Sequence, residues 1–301
     1  MHACAYMQLQ TAFFVLAITH ASCHLAQANP AALRINGSTT VNLPVAEAAE
    51  ILRSEAQLAI TIDTQGGSSG GVSLLGDGRI DIGMSSKPLS QTDRSRFPKI
   101  SFHETRIGED AVALIVSKDV WNGGVRSLSK LQAQGIYERR ITNWSQLKGP
   151  NRRVAFFNKE PGRGTWEIFA RWLYGDPNEA PAAAFPEVGG NEECRNRVGA
   201  TRGAMSQLSA SWADGKTVFA LGIEVEPGQT VRPTPEALAD HSYPMSRPLL
   251  LLTDGEPKGN TKRFVDFMLG PKGQQLVAKH GYLSLEQLGR LRSSPSGRGS
   301  N

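Results

Sequence analysis

Cysteine is scarce in this sequence, and the scarcity excludes two kinds of site. Only three cysteines occur in 301 residues, at Cys4, Cys23 and Cys194. The first two lie in an apolar N-terminal stretch, so a processed chain keeps a single thiol. One thiol allows no internal disulfide and no metal cluster of thiolates. The histidines beyond that stretch share no ligand spacing, and the sequence therefore predicts no metal and no cofactor.

Charged residues are absent from the first 28 residues. Within them, 11–19 is an apolar run, and 25–28 ends in the small-residue pattern of a signal-peptidase site. We therefore predict that 1–28 is a secretory signal peptide, because the run is shorter than the ~20 apolar residues that span a bilayer. A buried N-terminal helix and lipidation at Cys23 are the alternatives. No later apolar stretch is long enough to cross a membrane.

Runs of basic residues are also missing, although the net charge is +5. Lys and Arg are dispersed, and the densest clusters are the pairs Arg139 with Arg140 and Arg152 with Arg153. A nucleic-acid-binding surface needs larger clusters, so this class is excluded, while the positive balance weakly favours an anionic ligand. At a rough ~150 residues per domain, the chain length suggests two domains.

Strands and helices alternate along the rest of the chain. The pattern predicts strands at 33–38, 58–64, 80–84, 112–116, 154–157, 218–225 and 249–252, and helices at 39–53, 72–75, 128–137, 165–174, 260–269 and 271–280. This alternation is typical of an α/β protein with mainly parallel sheets, whose ligands bind beyond the carboxyl ends of the strands. The polar segment from Ser293 onward is predicted to be a disordered tail.

Three Gly-rich loops each follow a predicted strand and open a predicted helix: NGSTT at 36–40, GGSSGG at 66–71 and PGRGT at 161–165. A helix N-terminus offers unpaired N–H groups and a partial positive charge, so together the loops predict an anion cradle. For each loop alone, an ordinary N-cap is the alternative. A fourth segment, Ser-Ser-Lys at 85–87, follows another strand, and a solvated turn is its alternative.

Two other patterns suggest different chemistry. Ser68 stands in a G-x-S-x-G pattern, which in a hydrolase marks the nucleophile. That reaction also needs a histidine, and neither His241 nor His280 lies in a recognisable active-site loop. The second pattern is the aromatic set of Trp144, Trp166 and Tyr174, which is interpreted as packing residues of a core rather than as a stacking platform for a ring-bearing ligand.

Eight segments in their order along the chain resemble one known family. They are NGSTTVNLPVAEAAE (36–50), TQGGSSGGV (64–72), IDIGMSSKPL (80–89), GEDAVALIVS (108–117), IYERRITNWSQL (136–147), NKEPGRGTWEIF (158–169), YPMSRPLLLLT (243–253) and FVDFMLGPKGQQLVAKHGYLSL (264–285). Through them the chain resembles the periplasmic phosphate-binding proteins of bacterial ABC transporters, within the type II solute-binding superfamily. The resemblance covers residues 33–285.

The resemblance implies two lobes joined by two crossing strands. The first lobe is expected to comprise 29–117 with 246–292, and the second lobe 118–245, followed by the tail 293–301. A small oxyanion, phosphate above all, is expected to bind in the cleft of a periplasmic monomer that delivers it to an ABC permease without catalysis. The ligand residues implied by position are Ser38, Thr39, Ser68, Ser86, Lys87, Lys159, Arg163, Gly164 and Thr165.

Three departures from the family pattern weaken the expectation of phosphate in particular. Arg163 stands where the family has serine, and Lys159 where it commonly has arginine. The segment at 85–87 lacks the aspartate with which some members read the proton of monohydrogen phosphate, and Asp110 and Glu160 are alternative acceptors. A degenerate binding module, retained for signalling or adhesion, is therefore the main rival hypothesis.

Overall fold

The computed structural model describes residues 32–182 and 184–293. The strands are β1 (Leu33–Gly37), β2 (Ile60–Asp63), β3 (Ile82–Ser85), β4 (Phe102–Ser117), β5 (Ser127–Ser129), β6 (Ala155–Lys159), β7 (Glu187–Val188), β8 (Ala204–Ser209), β9 (Val218–Ala220), β10 (Gly222–Glu226), β11 (Gln229–Val231), β12 (Ser246–Asp254) and β13 (Leu283–Ser284). The predicted signal peptide, with Cys23, and the residues after Ser293 lie outside the described residues.

The helices of the described part follow the strands in the order expected of an α/β chain. They are α1 (Thr39–Ala56), α2 (Gly67–Gly76), α3 (Gln91–Arg96), α4 (Lys118–Asn122), α5 (Lys130–Tyr137), α6 (Gly164–Tyr174), α7 (Asn191–Ala200), α8 (Pro235–Ala239), α9 (Gly259–Leu269), α10 (Pro271–Lys279) and α11 (Leu285–Ser293), with 3₁₀ turns at Trp144–Leu147, Pro177–Glu179 and Ala210–Trp212. No described helix is both long and apolar enough to cross a membrane.

The long strand β4 organises the main sheet, whose order is β2-β1-β3-β12-β4-β8-β6-β7. Its 16 residues pair antiparallel with β12 as far as Ala111, and with β8 from Val112 onward. The chain before β12 continues beside it, because the Val112 N–H donates to the Met245 carbonyl at 2.9 Å. Two adjacent extended segments therefore pass from one group of strands to the other.

The strands on either side of this passage form two lobes. We use "first lobe" for β1–β3, β12 and β4 as far as Ala111, and "second lobe" for β6–β9 with the rest of β4. β1 pairs parallel with β2 and β3, and β6 pairs parallel with β7 and β8. The predicted two-lobe α/β fold is confirmed, while the apolar run 112–116 is antiparallel to its neighbours. The exact lobe boundaries stay a prediction.

Each lobe has its own apolar core. In the first lobe, α1 turns a buried face that includes Val41, Val45 and Leu52 toward the sheet, and Phe264 of α9 completes this core. The second lobe packs around Trp144, whose indole N–H donates to the Gly203 carbonyl at 2.9 Å. Burying side chains of this size contributes about 1.5–3 kcal/mol each, so the two cores hold the loops between them in fixed positions.

Helix α2 begins earlier than the sequence predicts. It begins at Gly67, inside the GGSSGG run, rather than at residue 72. Gly66 and Gly67 have φ values of +76° and +58°, a left-handed conformation that favours glycine and lets the helix start immediately after a sharp turn. The glycine run is thus the first turn of the helix rather than a break before it.

Candidate oxyanion-binding site

The N-termini of helices α1, α2 and α6 converge on one small cavity of about 10 Å³, roughly the space of one water-sized group. It is lined by Ser38, Thr39, Thr40, Gly67, Ser68, Ser86, Lys159, Arg163, Gly164, Thr165 and Asn191. Every residue of the predicted ligand set except Lys87 is on this list. Because the first N–H groups of a helix have no partner within it, this arrangement concentrates donors and positive potential in one place.

The two lobes touch around the cavity. The Ser69 N–H donates to the Gly162 carbonyl at 3.1 Å, across the cleft. A Cβ at Gly164 would lie 2.6 Å from the Ser86 Oγ and 2.7 Å from the Ser68 Oγ. Glycine at this position therefore allows the start of α6 to approach the hydroxyl groups of the first lobe, and the structure is that of a closed cleft.

Three serines of the first lobe form one hydroxyl network. Ser38 is the N-cap of α1, since its Oγ accepts from the Thr40 N–H at 3.2 Å, and it donates its own proton to the Ser86 Oγ at 2.9 Å. The Ser68 Oγ accepts from the Ser86 N–H at 3.1 Å. Ser38 thus combines the ordinary capping role with a place at the cavity, where it orients the Ser86 hydroxyl.

Lys159 contributes a buried charge that no carboxylate neutralises in the described part of the chain. Its ammonium donates to the carbonyls of Gly189 and Gly190 at 2.8 Å each and to the Asn191 Oδ1 at 3.3 Å. Burial lowers the pKa of Lys159 to about 8, and the positive charge of Arg163 acts in the same direction. The lysine carries most of its charge at neutral pH and loses it in mildly alkaline solution.

Arg163, the residue that departs from the family pattern, lies against the cavity rather than out in solvent. Its Nε and Nη2 donate to the Glu160 Oε2 at 2.9 and 2.7 Å. The remaining nitrogen, Nη1, is buried and has no hydrogen-bond partner. The side chain crosses the start of α2, where a Cβ on Gly67 would come within 2.8 Å of the Arg163 Cδ, so glycine leaves the space that the arginine fills.

Lys87 does not join the cavity, and this corrects its expected place in the ligand set. Its ammonium lies 2.9 Å from the Asp93 Oδ2 and 2.7 Å from the Glu167 Oε2. Burial works to lower the pKa of Lys87, but the two carboxylates outweigh it and raise the pKa. The charge is therefore neutralised by protein groups, and the lysine links α3 of the first lobe to α6 of the second.

A buried ion pair that no local sequence pattern predicts lies directly behind the cavity. The Arg247 Nε and Nη2 donate to the Asp110 Oδ2 at 3.0 and 2.7 Å, and the Ser209 hydroxyl donates to Oδ1 at 2.9 Å. Burial raises the pKa of Asp110, and the contacts with Arg247 and Ser209 oppose this effect. Residues 110 and 247 lie 137 positions apart, and only the pairing of β4 with β12 brings them together.

The two alternative acceptors for a phosphate proton are therefore both occupied. Asp110 accepts from Arg247 and Ser209, Glu160 accepts from Arg163, and neither lines the cavity. The lining contains no carboxylate at all. The site is built from hydroxyl, backbone N–H and cationic groups, which suits an anion and repels a cation.

In the described part of the chain, neither the residues of a hydrolase nor those of a metal site or a stacking platform are assembled at the cavity. His241 contacts Arg292 and His280 contacts Glu47, so neither predicted partner lies beside this serine. Within the described residues no group of His, Cys, Asp and Glu side chains has metal-site geometry. The aromatic set also stays out of the lining: Trp144 lies in the core of the second lobe and Tyr174 packs against it.

Cys194 lies near Lys159, but its thiol is held in an unreactive state. Its thiol is fully buried and donates to the Ser206 Oγ at 3.1 Å. Burial raises the pKa of this thiol, although the nearby Lys159 acts in the opposite direction. A thiol in this state is a poor nucleophile, because the thiolate is the reactive form.

Two α/β lobes joined by extended strands, with a small polar cavity between them, define the class of two-lobed solute-binding proteins. A family model described as a PBP superfamily domain matches residues 25–272. The chain therefore belongs to the PBP superfamily, as the eight segments suggested.

Sequence relatives and solved structures agree with this assignment. The phosphate-binding protein PstS of Bacillus subtilis is 26% identical over 257 residues, which cover 85% of this chain and 81% of PstS. A putative phosphate ABC transporter substrate-binding protein from Clostridium perfringens, solved with bound phosphate, is 28% identical with a TM-score of 0.74, covering 84% of this chain and 99% of its own. An ABC-type phosphate transport receptor from Vibrio cholerae is 26% identical, with a TM-score of 0.66 and coverages of 83% and 99%.

Proposed function

We propose that this protein captures a small tetrahedral oxyanion, with inorganic phosphate as the first candidate, in the cavity between its lobes. The observation that carries the proposal is the convergence of three helix N-termini and several hydroxyls from both lobes on a cavity without a carboxylate. The proposed ligand residues are Ser38, Thr39, Ser68, Ser86, Lys159, Arg163, Gly164 and Thr165. Lys87 contributes indirectly, because its ion pairs with Asp93 and Glu167 join the two lobes.

The relatives support phosphate as the anion. They are phosphate-binding proteins and a putative phosphate ABC transporter substrate-binding protein, and the latter was solved with phosphate bound. The cavity of the closed cleft is small and leaves no room for a ring-bearing ligand. Fixed N–H and O–H donors replace the water shell of the anion, and Lys159 supplies the opposing charge. The Nη1 group of Arg163, which has no partner among the described residues, is a further donor.

Closure and delivery complete the proposal. The anion bridges the helix N-termini of the two lobes and so favours the closed state, which an ABC permease in the membrane then recognises. The protein works as an exported monomer, processed after Ala28, with a lipid anchor on Cys23 as the alternative. Intact-mass measurement of the exported protein distinguishes these two mature forms.

The protein has no catalytic role in this proposal. The hydrolase alternative rests on Ser68, whose Oγ hydrogen-bonds within the serine network and has no histidine bonded to it among residues 32–182 and 184–293. We expect no turnover of chromogenic phosphate or carboxylate esters. Turnover that disappears in Ser68→Ala would overturn this part of the proposal.

Isothermal titration calorimetry of the exported protein tests the proposed function directly. Phosphate, sulfate, molybdate and tungstate are titrated separately, and phosphate is expected to bind with one site per chain. Lys159→Ala and Thr165→Ala should each weaken binding by at least about 10-fold, because the first removes the positive charge at the cavity and the second removes a hydroxyl from its lining. If none of the four anions binds at millimolar concentration, the proposal is wrong and the degenerate binding module is favoured.

A further inference from the structure

Thr40, which is absent from the expected ligand set, presents a hydroxyl whose direction the structure fixes. Its Oγ1 accepts from the Arg247 Nη2 at 3.1 Å and from the Asn191 Nδ2 at 3.0 Å. A hydroxyl has two lone pairs and one proton. Both lone pairs are filled, so the only capacity left is donation, and no described residue accepts that proton. Thr40 lines the cavity, which is where the proton is available.

The orientation of the Asn191 amide is settled by its other neighbour. Lys159 donates to the Asn191 Oδ1 at 3.3 Å, and an ammonium group has no lone pair to accept from an amide N–H. The oxygen of the amide must therefore face Lys159, and its nitrogen must face Thr40. The same buried lysine that provides charge also fixes one of the two donors to the Thr40 hydroxyl.

Arg247 also donates to two further hydroxyls. Its Nη1 donates to the Thr165 Oγ1 at 2.9 Å and to the Ser86 Oγ at 3.3 Å. The Ser86 Oγ also accepts from Ser38, so both of its lone pairs are filled and its own proton faces the Ser68 Oγ at 3.4 Å. One guanidinium thus reaches hydroxyls of both lobes, since Thr40 and Ser86 belong to the first lobe and Thr165 to the second.

The guanidinium itself has little freedom. Its side chain is fully buried and held by Asp110 through two hydrogen bonds. Arginine cannot accept a hydrogen bond and stays protonated in proteins. Each of the three hydroxyls that accept hydrogen bonds from Arg247 therefore keeps its own proton directed away from the guanidinium.

We propose that Arg247 is the positioning residue that sets the specificity of this site, and that Thr40 is an additional direct ligand. By filling oxygen lone pairs from behind, Arg247 helps to leave Thr40 and Ser86 able only to donate, and it fills one of the two lone pairs of Thr165. These hydroxyls select the deprotonated oxygens of the anion. A protonated oxygen at the same positions would meet a second proton. The inference rests on the proposed function and specifies which face of the oxyanion the site recognises.

Substitutions at Thr40 test its role as a ligand. Thr40→Val removes the hydroxyl and keeps the shape, and we expect the dissociation constants for phosphate and sulfate to rise about 10- to 100-fold, the value of a hydrogen bond to a charged group. Thr40→Ser restores the hydroxyl and should restore most of the affinity. Thr253→Val is the matched control, because that buried hydroxyl donates to the Gly255 carbonyl instead. Wild-type affinity in Thr40→Val would contradict the proposal.

A double substitution, Asp110→Leu with Arg247→Met, tests the positioning role. Replacing both members of a buried ion pair by apolar residues is often tolerated by the fold, and thermal unfolding checks this. The freed lone pairs can then accept, so affinity for sulfate, which has no proton to offer, should fall by a larger factor than affinity for monohydrogen phosphate. Unchanged affinities, or equal losses for both anions, would overturn the proposal.

The two levels of inference fail in different ways. If the wild-type protein binds neither phosphate nor sulfate, the proposed function fails and this inference falls with it. If the wild type binds and the Thr40 and double variants behave like Thr253→Val, only the present inference fails.

Discussion

At the scale of single residues, Lys159 shows how the protein keeps a charge available for a ligand. Its ammonium is held by neutral carbonyl and amide oxygens rather than by a carboxylate. These dipoles fix its position without cancelling its charge. Because the charge is buried, the pKa of Lys159 is lowered to about 8. Lys87 is the opposite case, because two carboxylates neutralise it.

The lowered pKa of Lys159 predicts that anion binding weakens as the pH rises through about 8. Below that pH the lysine is charged and attracts the anion, and above it the ammonium loses its proton and the attraction. Calorimetry with sulfate between pH 6 and pH 10 measures this, since sulfate itself does not titrate there. Lys159→Arg should remove the pH dependence, because arginine remains protonated. A flat profile for the wild type would contradict the assignment of Lys159 as a ligand.

At the scale of secondary-structure elements, the helix N-termini are the part of the site that local sequence best predicts. Gly-rich segments at the ends of β1, β2 and β6 open α1, α2 and α6, and each is a short-range pattern. The ion pair of Arg247 with Asp110 and the partners of Lys87 were not predicted, because they depend on contacts between distant elements. The start of α2 was placed wrongly for a local reason, since a run of glycines looks like a break even when it forms a first helical turn.

The approach of α6 to the first lobe gives a prediction for Gly164→Ala. The added methyl would lie 2.6 Å from the Ser86 Oγ, so closing the cleft would force apart the donors on its two sides. We expect at least about a 10-fold loss of oxyanion affinity, in line with the cost of overpacking a close contact. Gly289→Ala is the control, because nothing lies within 4 Å of its added Cβ. Equal affinities for the two variants would show that the cleft is wider in solution.

At the scale of the whole molecule, closure is supported by contacts that do not involve the ligand. Lys87 of the first lobe meets Glu167 of α6, and Asn191 of α7 donates to Thr40 of α1. Such contacts lower the free energy of the closed state before any anion arrives. The affinity of the protein then reflects both the cavity and this bias, because a ligand acts by its preference for one state.

Glu167→Gln tests the contribution of the contacts between the lobes to closure, separately from the contribution of the cavity. It removes the carboxylate across the cleft but leaves Lys87 paired with Asp93, so the fold of the first lobe should be kept. We expect a dissociation constant raised about 3- to 10-fold through a smaller closed population. Small-angle X-ray scattering should show a larger radius of gyration without anion and wild-type dimensions at saturation. Asp266→Asn, which breaks an exposed pair with Lys262, should change neither quantity.

The burial of Cys194 has a practical consequence for measuring these motions. It is the single cysteine in the described part of the chain, and its thiol is inaccessible with a raised pKa. Maleimide dyes react with exposed thiolates, so they should leave this residue unlabelled in the folded protein. Gln65→Cys, at an exposed position two residues before the cavity-lining Gly67, would then carry a fluorophore at one defined place. The native sequence is thus already suited to a fluorescent oxyanion sensor.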